Sequence, residues 1–279
     1  MGFLRVVEVL PPLFPVPNSS RIEGPRALEE FVEEVRSIRA FADVILVAGV
    51  KDPALLRDDP VQSALLLRRA AGVDAAPVVV VRDQNRPRFL ATMFSALSSG
   101  LGSIMIAWGD DYPPGAGASN VRDYPSLASA VKEAATIRKR ARSTAKFFVP
   151  VNLQSLRSAS GAAMAKGRVK AGADLLLAQP PTTDAHGAFD DHLSLIARSG
   201  VRDKVLLNVF HFKGGLDLER YERKFGWRLP SSLRATARKG ERALIQAERE
   251  VIRRARSEGL PGIYVSTRGE PQVARALLK

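Results

Sequence analysis

The amino-acid sequence predicts an α/β protein folded as a single (β/α)8 TIM barrel. Short runs rich in Val, Ile and Leu alternate with longer segments of helical apolar spacing, which is the pattern of repeated βα units. The length of 279 residues fits the roughly 250 residues typical of this barrel. No Pro/Gly/Ser-rich linker divides the chain, so we predict one domain over residues 1–279. Polar residues such as Glu8, Gln179 and His211 follow the apolar runs, where such barrels build their active sites.

Eight apolar runs are predicted as the barrel strands. The third run is apolar on both faces, as parallel strands covered by helices on both sides are. A Pro pair ends the first run, and polar or Gly residues end the others. The predicted strands are Arg5–Leu10, Asp43–Val47, Pro77–Val81, Ser103–Trp108, Lys146–Val151, Ala173–Ala178, Val205–Phe210 and Gly262–Thr267.

The segments between these runs are predicted as amphipathic helices, because their apolar residues recur every three or four positions. Pro25 suits the first turn of the first helix, and Gly172 closes the fifth. A stretch through Tyr221 and Pro230 is predicted as extended. The predicted helices are Arg26–Arg39, Pro60–Ala71, Pro87–Gly100, Leu127–Arg142, Leu156–Ala171, His186–Arg198 and Gly240–Ser257.

Composition excludes several classes of function. The chain has no Cys and 3 His, which excludes disulfides and thiol catalysis and makes a metal-centred site unexpected. No apolar run approaches the roughly 20 residues that span a bilayer, so we expect a soluble cytoplasmic protein with no membrane partner. The formal net charge of +13 favours anionic partners. The cations fall mainly on amphipathic helices, which favours solvated outer faces over a nucleic-acid surface.

Six segments, taken in order, resemble the methylenetetrahydrofolate reductase family. The acidic residue Glu8 followed by a Pro pair is the first of them, and Gln179 at the end of the sixth predicted strand belongs to another. Any one motif is weakly specific, but their order and spacing cover essentially the whole chain. The segments are Glu8–Pro12, Arg82–Arg86, Trp108–Gly117, Gly167–Asp174 with Ala178-Gln179, Leu229-Pro230, and Pro261–Thr267.

The resemblance implies a barrel enzyme that reduces methylene-tetrahydrofolate, or an archaeal analogue, to the methyl form. In that family a hydride passes from NADH or NADPH through FAD. Glu8 would be the general acid, which requires a carboxyl kept partly protonated by an apolar site. Asp110 would be both catalytic and substrate-binding, and Gln179 would meet the donor–acceptor edge of the pterin. A salt-bridged Glu8, a loop-capping Asp110 and a buried structural Gln179 are the alternative roles.

The resemblance also implies cofactor contacts from four residues: Arg168, Tyr124, Arg82 and Asn85. For Arg168 the alternative is a solvated helix charge, and for Asn85 it is a helix cap. The chain departs from the family on two strands where flavin contacts are expected. Val78–Val81 replaces a His-Leu-Thr segment, and 149–154 replaces an Ala-Tyr-Pro-Glu-x-His segment.

Three functions therefore remain open at the level of sequence. The first is a divergent reductase, and the second is a non-redox pterin-binding or methyl-transfer protein that works with a partner subunit or as a homo-oligomer. The third is a basic nucleic-acid-binding protein, which has no recognisable binding module in its favour. His211 and Lys213, just beyond the seventh predicted strand, are candidates to steer an anionic pterin tail.

Overall fold

Eight parallel strands close into a barrel in the computed structural model, which confirms the predicted fold class. The structure describes residues 2–15, 23–49, 55–57, 59–82, 84–109, 123–227, 229–267 and 270–279. Strands neighbour one another in the order β1-β10-β9-β8-β7-β6-β5-β3. Within the described residues the strands are β1 Leu4–Val9, β2 Leu13–Pro15, β3 Val44–Val47, β4 Leu55–Arg57, β5 Ala75–Val80, β6 Ser103–Ala107, β7 Lys146–Asn152, β8 Leu175–Gln179, β9 Val205–Phe210 and β10 Gly262–Ser266.

Helices follow the barrel strands and cover the outside of the barrel. The seven predicted helices are all present, with ends within a few residues of prediction. In the described part of the chain they are α1 Glu23–Ile38, α2 Pro60–Ala70, α3 Arg86–Ser98, α4 Leu127–Arg140, α5 Ala159–Ala171, α6 Gly187–Ser199, α7 Gly215–Phe225, α8 Ser231–Ala237, α9 Glu241–Ser257 and α10 Gln272–Leu278. None of these helices has the length and apolar character needed to cross a membrane.

The structure corrects the prediction after β9. The stretch through Tyr221 and Pro230, predicted as extended, contains α7 and α8. Gly226 ends α7 with a φ of 64°, and Pro230 stands immediately before α8. These two residues divide the stretch into two helices in place of the single extended segment that was predicted. The short antiparallel pair of β2 and β4, and helix α10, were also not predicted.

Alternation along the strands separates two apolar cores. Inside the barrel, alternate strand residues form one cluster that includes Val6, Phe148, Leu177, Leu206 and Tyr264. The intervening residues face outward and pack against the helices in a larger cluster. Because side chains point to opposite faces with a period of two, the next inward position on each strand lies two residues further along. These next positions line the C-terminal end of the barrel, which we call the mouth.

Gly262 allows the first and last strands to close the barrel. It pairs with Leu4, and a Cβ atom on it would lie 2.1 Å from the Leu4 carbonyl oxygen and 2.8 Å from the Leu4 carbonyl carbon. Both contacts are with backbone, which cannot yield without shifting β1 away from β10. A side chain at this position is therefore incompatible with the observed closure.

We predict that Gly262→Ala destabilises the protein by about 2 kcal/mol or more, since overpacking against rigid neighbours typically costs that much. Gly167→Ala in α5 is the matched control, because nothing lies within 4 Å of its added Cβ and Ala favours helix. Urea unfolding monitored by circular dichroism measures the free energy of unfolding of both variants. Equal stability of the two variants would contradict the role of Gly262 in closure.

Candidate functional site

Four polar side chains occupy inward positions at the mouth: Glu8, Gln179, Asn208 and Ser266. Each stands two residues beyond a member of the interior apolar cluster on its own strand, which places it on the same face. The strand register sets Glu8 beside Ser266 and Asn208 beside Tyr264. The parallel strands thus gather, at one end of the barrel, residues that are up to 258 positions apart in sequence.

Glu8 is held by hydroxyl groups. The Ser266 hydroxyl donates to Oε1 of Glu8 at 2.8 Å, and the Tyr264 hydroxyl donates to Oε2. The Thr267 hydroxyl donates to the Glu8 backbone carbonyl at 2.6 Å. No described cation forms an ion pair with Glu8, so the salt-bridged alternative is not the arrangement observed.

Burial raises the pKa of Glu8 to about 7, and the hydrogen bond from Ser266 opposes this rise only in part. An ordinary Glu has a pKa near 4.3. A carboxyl with a pKa near neutrality is partly protonated at physiological pH, as a general acid must be. The environment of Glu8 is therefore suited to proton donation.

Gln179 and Asn208 bring two carboxamides to the mouth on adjacent strands. Gln179 is partly exposed at the end of β8, and its backbone carbonyl accepts a 2.6 Å bond from the Leu153 amide. Asn208 on β9 is 1% exposed, and neither atom of its amide group has a hydrogen-bond partner among the residues that the structure describes. Buried polar groups are nearly always paired, and an unpaired amide costs about 1–3 kcal/mol. Asn208 therefore carries free donor and acceptor capacity inside the mouth.

Arg82 and Gly109 lie at the mouth after β5 and β6. The Arg82 amide donates to the Trp108 carbonyl at 3.0 Å, which extends the pairing of the two strands, and the Arg82 side chain is 1% exposed. Gly109 has a φ of +91°, and a Cβ on it would lie 2.3 Å from the Val80 side chain. Only Gly allows this close approach. Asp110, expected to be catalytic and substrate-binding, lies outside the described residues.

The three other residues named for the cofactor lie among the helices. Tyr124 donates from its hydroxyl to Glu133 of α4 at 2.7 Å and packs edge-on against Phe89 of α3. Burial, followed by the bond to Glu133, raises the pKa of Tyr124. Asn85 caps α3, where its side chain accepts from the Arg88 amide at 2.9 Å. The helix-capping alternative for Asn85 is thus the arrangement observed.

Arg168 lies in the last turn of α5, and its guanidinium donates to the backbone carbonyl of Pro150 in β7. Burial lowers its pKa, so it is not a solvated helix charge. This contact ties the helix to the outside of the barrel wall. The structure therefore brings Arg82 to the mouth and shows the side chains of Arg168, Tyr124 and Asn85 bonded to groups of the protein.

His211 and Lys213 are both engaged with carboxylates. His211 is buried, with Nδ1 2.9 Å from Glu248 and Nε2 3.1 Å from Glu241. Burial alone lowers the pKa of His211, but these hydrogen bonds outweigh it and raise the pKa above its ordinary value. Lys213 is ion-paired with Glu270. Neither residue offers an unneutralised charge for steering an anion.

An aromatic cluster stands beyond the end of β9. Phe210, the last residue of the strand, contacts the rings of Phe212, Tyr221 and Trp227 at centroid distances of 4.9, 4.8 and 5.4 Å. Helices α7 and α8 support the cluster through Leu218 and other apolar residues. The mouth is therefore apolar and aromatic beyond the end of β9, close to the strands that carry Gln179, Asn208 and Glu8.

Sequence reasoning missed Tyr264, Ser266 and Asn208 as site residues. The signal that could have found them is the period of two within each predicted strand. Tyr264 and Ser266 stand two positions apart and so share one face of their strand, and Asn208 interrupts an otherwise apolar run; a phenol and an amide are unusual core residues. Their partners are set by the strand register, which periodicity alone does not supply.

The comparisons with known proteins establish the fold. No protein-family model matches the chain, and no curated protein is recognisably similar in sequence. An uncharacterized protein from Clostridium thermocellum, described as binding two copies of 5-methyl-5,6,7,8-tetrahydrofolic acid, shares 12% identity with a TM-score of 0.66, over 99% of this chain and 94% of that one. The C-terminal domain of a protein named as a chitinase from Desulfitobacterium hafniense DCB-2 shares 12% identity with a TM-score of 0.56, over 99% and 97%.

We predict that the stability difference between the wild type and Glu8→Gln depends on pH. The folded pKa of about 7 exceeds the unfolded value near 4.3, so the folded protein binds more protons between them and loses stability as pH rises through this window. The free energy of unfolding of the wild type, relative to Glu8→Gln, should fall by about 2 kcal/mol between about pH 5 and about pH 8.

Urea unfolding of both proteins across that range measures this difference. Contributions from other titrating groups, such as His211, are shared by the two proteins and cancel. A difference that stays constant with pH would mean that Glu8 titrates like an exposed carboxyl.

Proposed function

We propose that the protein binds a one-carbon-loaded tetrahydropterin at the mouth and that Glu8 donates a proton to it. The observation that carries the proposal is the environment of Glu8. It is a carboxyl at the C-terminal end of a barrel strand, its partners are the hydroxyls of Tyr264 and Ser266, and its pKa is about 7. Such a group can be a neutral acid in one step and a carboxylate in the next.

The ligand class is supported by two further observations. A pterin presents adjacent hydrogen-bond donors and acceptors on one edge, and Gln179 and Asn208 offer both functions from neighbouring strands. The solved structure from Clostridium thermocellum has the same fold and is described as binding a methyl-tetrahydrofolate. The resemblance of the strand-end segments to methylenetetrahydrofolate reductases points to the same class of compound.

The chemistry we propose is the opening and reduction of a methylene bridge. A proton passes from Glu8 to one of the two nitrogens that hold the methylene carbon, and the bond between that nitrogen and the carbon breaks. The carbon is left double-bonded to the other nitrogen as an iminium cation. A hydride from a reduced nicotinamide, acting as co-substrate, would add to this carbon and give the methyl form.

The proposed chemistry contains no step through FAD. Tyr124, Asn85 and Arg168, which the resemblance assigns to the flavin, are bonded to Glu133, to the start of α3 and to Pro150 respectively. Each of these three side chains is thus engaged with a group of the protein itself. This engagement favours, as the second candidate, a non-redox protein that binds the pterin and transfers or presents its methyl group with a partner subunit.

Spectroscopy and calorimetry separate the two candidates. We expect the purified protein to bind 5-methyltetrahydrofolate in isothermal titration, and Glu8→Gln to keep that affinity within about threefold. If the protein is a reductase, the same variant lowers turnover of methylene-tetrahydrofolate by roughly 10²–10⁴-fold, the usual contribution of a general acid.

An absorbance spectrum from about 300 to 600 nm, recorded before and after incubation with FAD and FMN, identifies any flavin. Pterin binding without nicotinamide oxidation would support the non-redox candidate. Absence of pterin binding to the wild type would refute both.

We predict opposite effects of Asn208→Leu on stability and on binding. Replacing an unpaired buried amide by an apolar group of similar size should stabilise the fold by about 1 kcal/mol or more. It should also weaken pterin binding about tenfold, because the ligand loses its hydrogen bonds at that strand. Asn85→Leu is the contrast, since it removes a helix cap and should destabilise by about 1 kcal/mol with binding unchanged. A destabilised Asn208→Leu would show that the amide has a partner in the free protein.

A further inference from the structure

A cavity of about 330 Å³ lies at the N-terminal end of the barrel, away from the mouth. It opens between α9, the end of α10 and the start of β1. Five of its nine lining residues are cationic and none is acidic; the cations are Arg5, Arg249, Arg253, Arg256 and Lys279. The remainder of the lining is apolar. We call this the arginine cavity.

Only part of this positive charge is neutralised by neighbouring acids. Arg5 is paired with Asp43 at 2.9 Å, and Arg253 with Glu250. Arg249 instead donates through Nε to the neutral carbonyl of Ala276 at 2.7 Å. Arg256 lies over an aromatic ring, with its guanidinium carbon 4.9 Å from the centroid of Phe3. Neither Arg249 nor Arg256 forms an ion pair with any described acid.

The spacing of the arginines is costly for an isolated helix. Arg249, Arg253 and Arg256 follow one another at i, i+4 and i+7 on one face of α9, and like charges at this spacing destabilise a helix by a few tenths of a kcal/mol per pair. The helix dipole favours cations in the last turn, which accounts for Arg256. Arg249 stands about two turns earlier, where the dipole has little effect. An anion in the cavity would relieve this repulsion.

We propose that the arginine cavity binds a small organic phosphate, with the phosphate held by Arg249 and Arg256 and the apolar portion resting on Ile252 and Leu277. Arginine suits this role because its planar guanidinium donates two parallel hydrogen bonds to a phosphate. The contacts with Ala276 and Phe3 hold both side chains in place before binding, which reduces the entropy cost of association. The proposal does not depend on the function of the mouth.

The shape of the arginine cavity favours a small molecule over a nucleic acid. A volume of about 330 Å³ falls within the range of roughly 300–1,000 Å³ typical of small-molecule pockets. Single-stranded nucleic acids stack their bases on exposed aromatic rings. Phe3 is the aromatic residue of the lining, and Arg256 already covers its ring.

Calorimetric titration of the full chain tests this proposal. The probes are a nucleoside 5′-diphosphate, the corresponding nucleoside, and inorganic pyrophosphate, each at low and at physiological salt. The variant Arg249→Gln/Arg256→Gln removes the two arginines of the lining that form no ion pair with a described acid. Lys139→Gln/Arg140→Gln, on the exposed end of α4, removes the same charge elsewhere and is the matched control.

We expect one nucleoside diphosphate to bind per chain. The nucleoside should bind at least about tenfold more weakly than the diphosphate, and the cavity variant should lose about tenfold or more of the affinity for the diphosphate. The control variant should stay within about twofold. The Arg249→Lys variant keeps the positive charge but lacks the two parallel hydrogen-bond donors of a guanidinium, so it should lose part of the affinity for the diphosphate. Thermal unfolding establishes that each variant is folded, and diphosphate should raise the unfolding midpoint of the wild type but not that of the cavity variant.

Several results would overturn the proposal. One is the absence of saturable diphosphate binding to the wild type, and another is an equal loss of diphosphate affinity in the cavity and control variants. A third is that a single-stranded RNA oligonucleotide binds more tightly than the diphosphate and that its affinity depends on both pairs of cations. The Glu8→Gln variant should bind the diphosphate as the wild type does. A failure at the arginine cavity is therefore distinguishable from a failure of the proposed pterin site.

Discussion

The pairing of the first strand with the last is the constraint on which the site depends. It brings Glu8 beside Ser266 and within reach of Tyr264, although these residues are 258 and 256 positions apart in sequence. Glu8 is partly buried there, and this burial raises its pKa to about 7. Closure requires Gly at position 262, because a Cβ there would collide with the Leu4 backbone. The acid–base property of one side chain therefore depends on the geometry of the whole barrel.

The mouth contains groups that are unfavourable for stability. Glu8 is a carboxyl in a desolvated position, and Asn208 is a buried amide without a partner. Each costs free energy that an apolar residue of similar size would not. Below them the barrel is filled with Val, Leu, Phe and Tyr side chains in an ordinary core. The unfavourable groups are thus confined to the end of the barrel where function is expected.

Much of the fold and part of the site could be predicted from the sequence, for separable physical reasons. Strand and helix patterns predicted all eight barrel strands and seven of the helices, whereas α8 and the β2–β4 pair carry too few residues to show a period. Helix α7 is amphipathic and as long as α2, so its pattern was present in the sequence and was overlooked. Glu8 and Gln179 were predicted because they end strands. Tyr264 and Asn208 were not, since their importance comes from neighbours across the register. The alternative role proposed for Asn85, a helix cap, is a local property and was foreseen.

The positive charge of the chain shows why composition alone does not locate a functional site. His211 and Lys213 follow a barrel strand, yet Glu248, Glu241 and Glu270 neutralise them, so these two residues do not steer anions to the mouth. Arg249 and Arg256, which form no ion pair with a described acid and line a cavity, lie instead on α9 at the opposite end. An electrostatic field acts through distances and burial, which are properties of the folded chain. The two ends of one barrel therefore differ in chemistry: at the mouth, hydroxyls and amides lie around Glu8, and at the other end guanidinium groups surround an apolar surface.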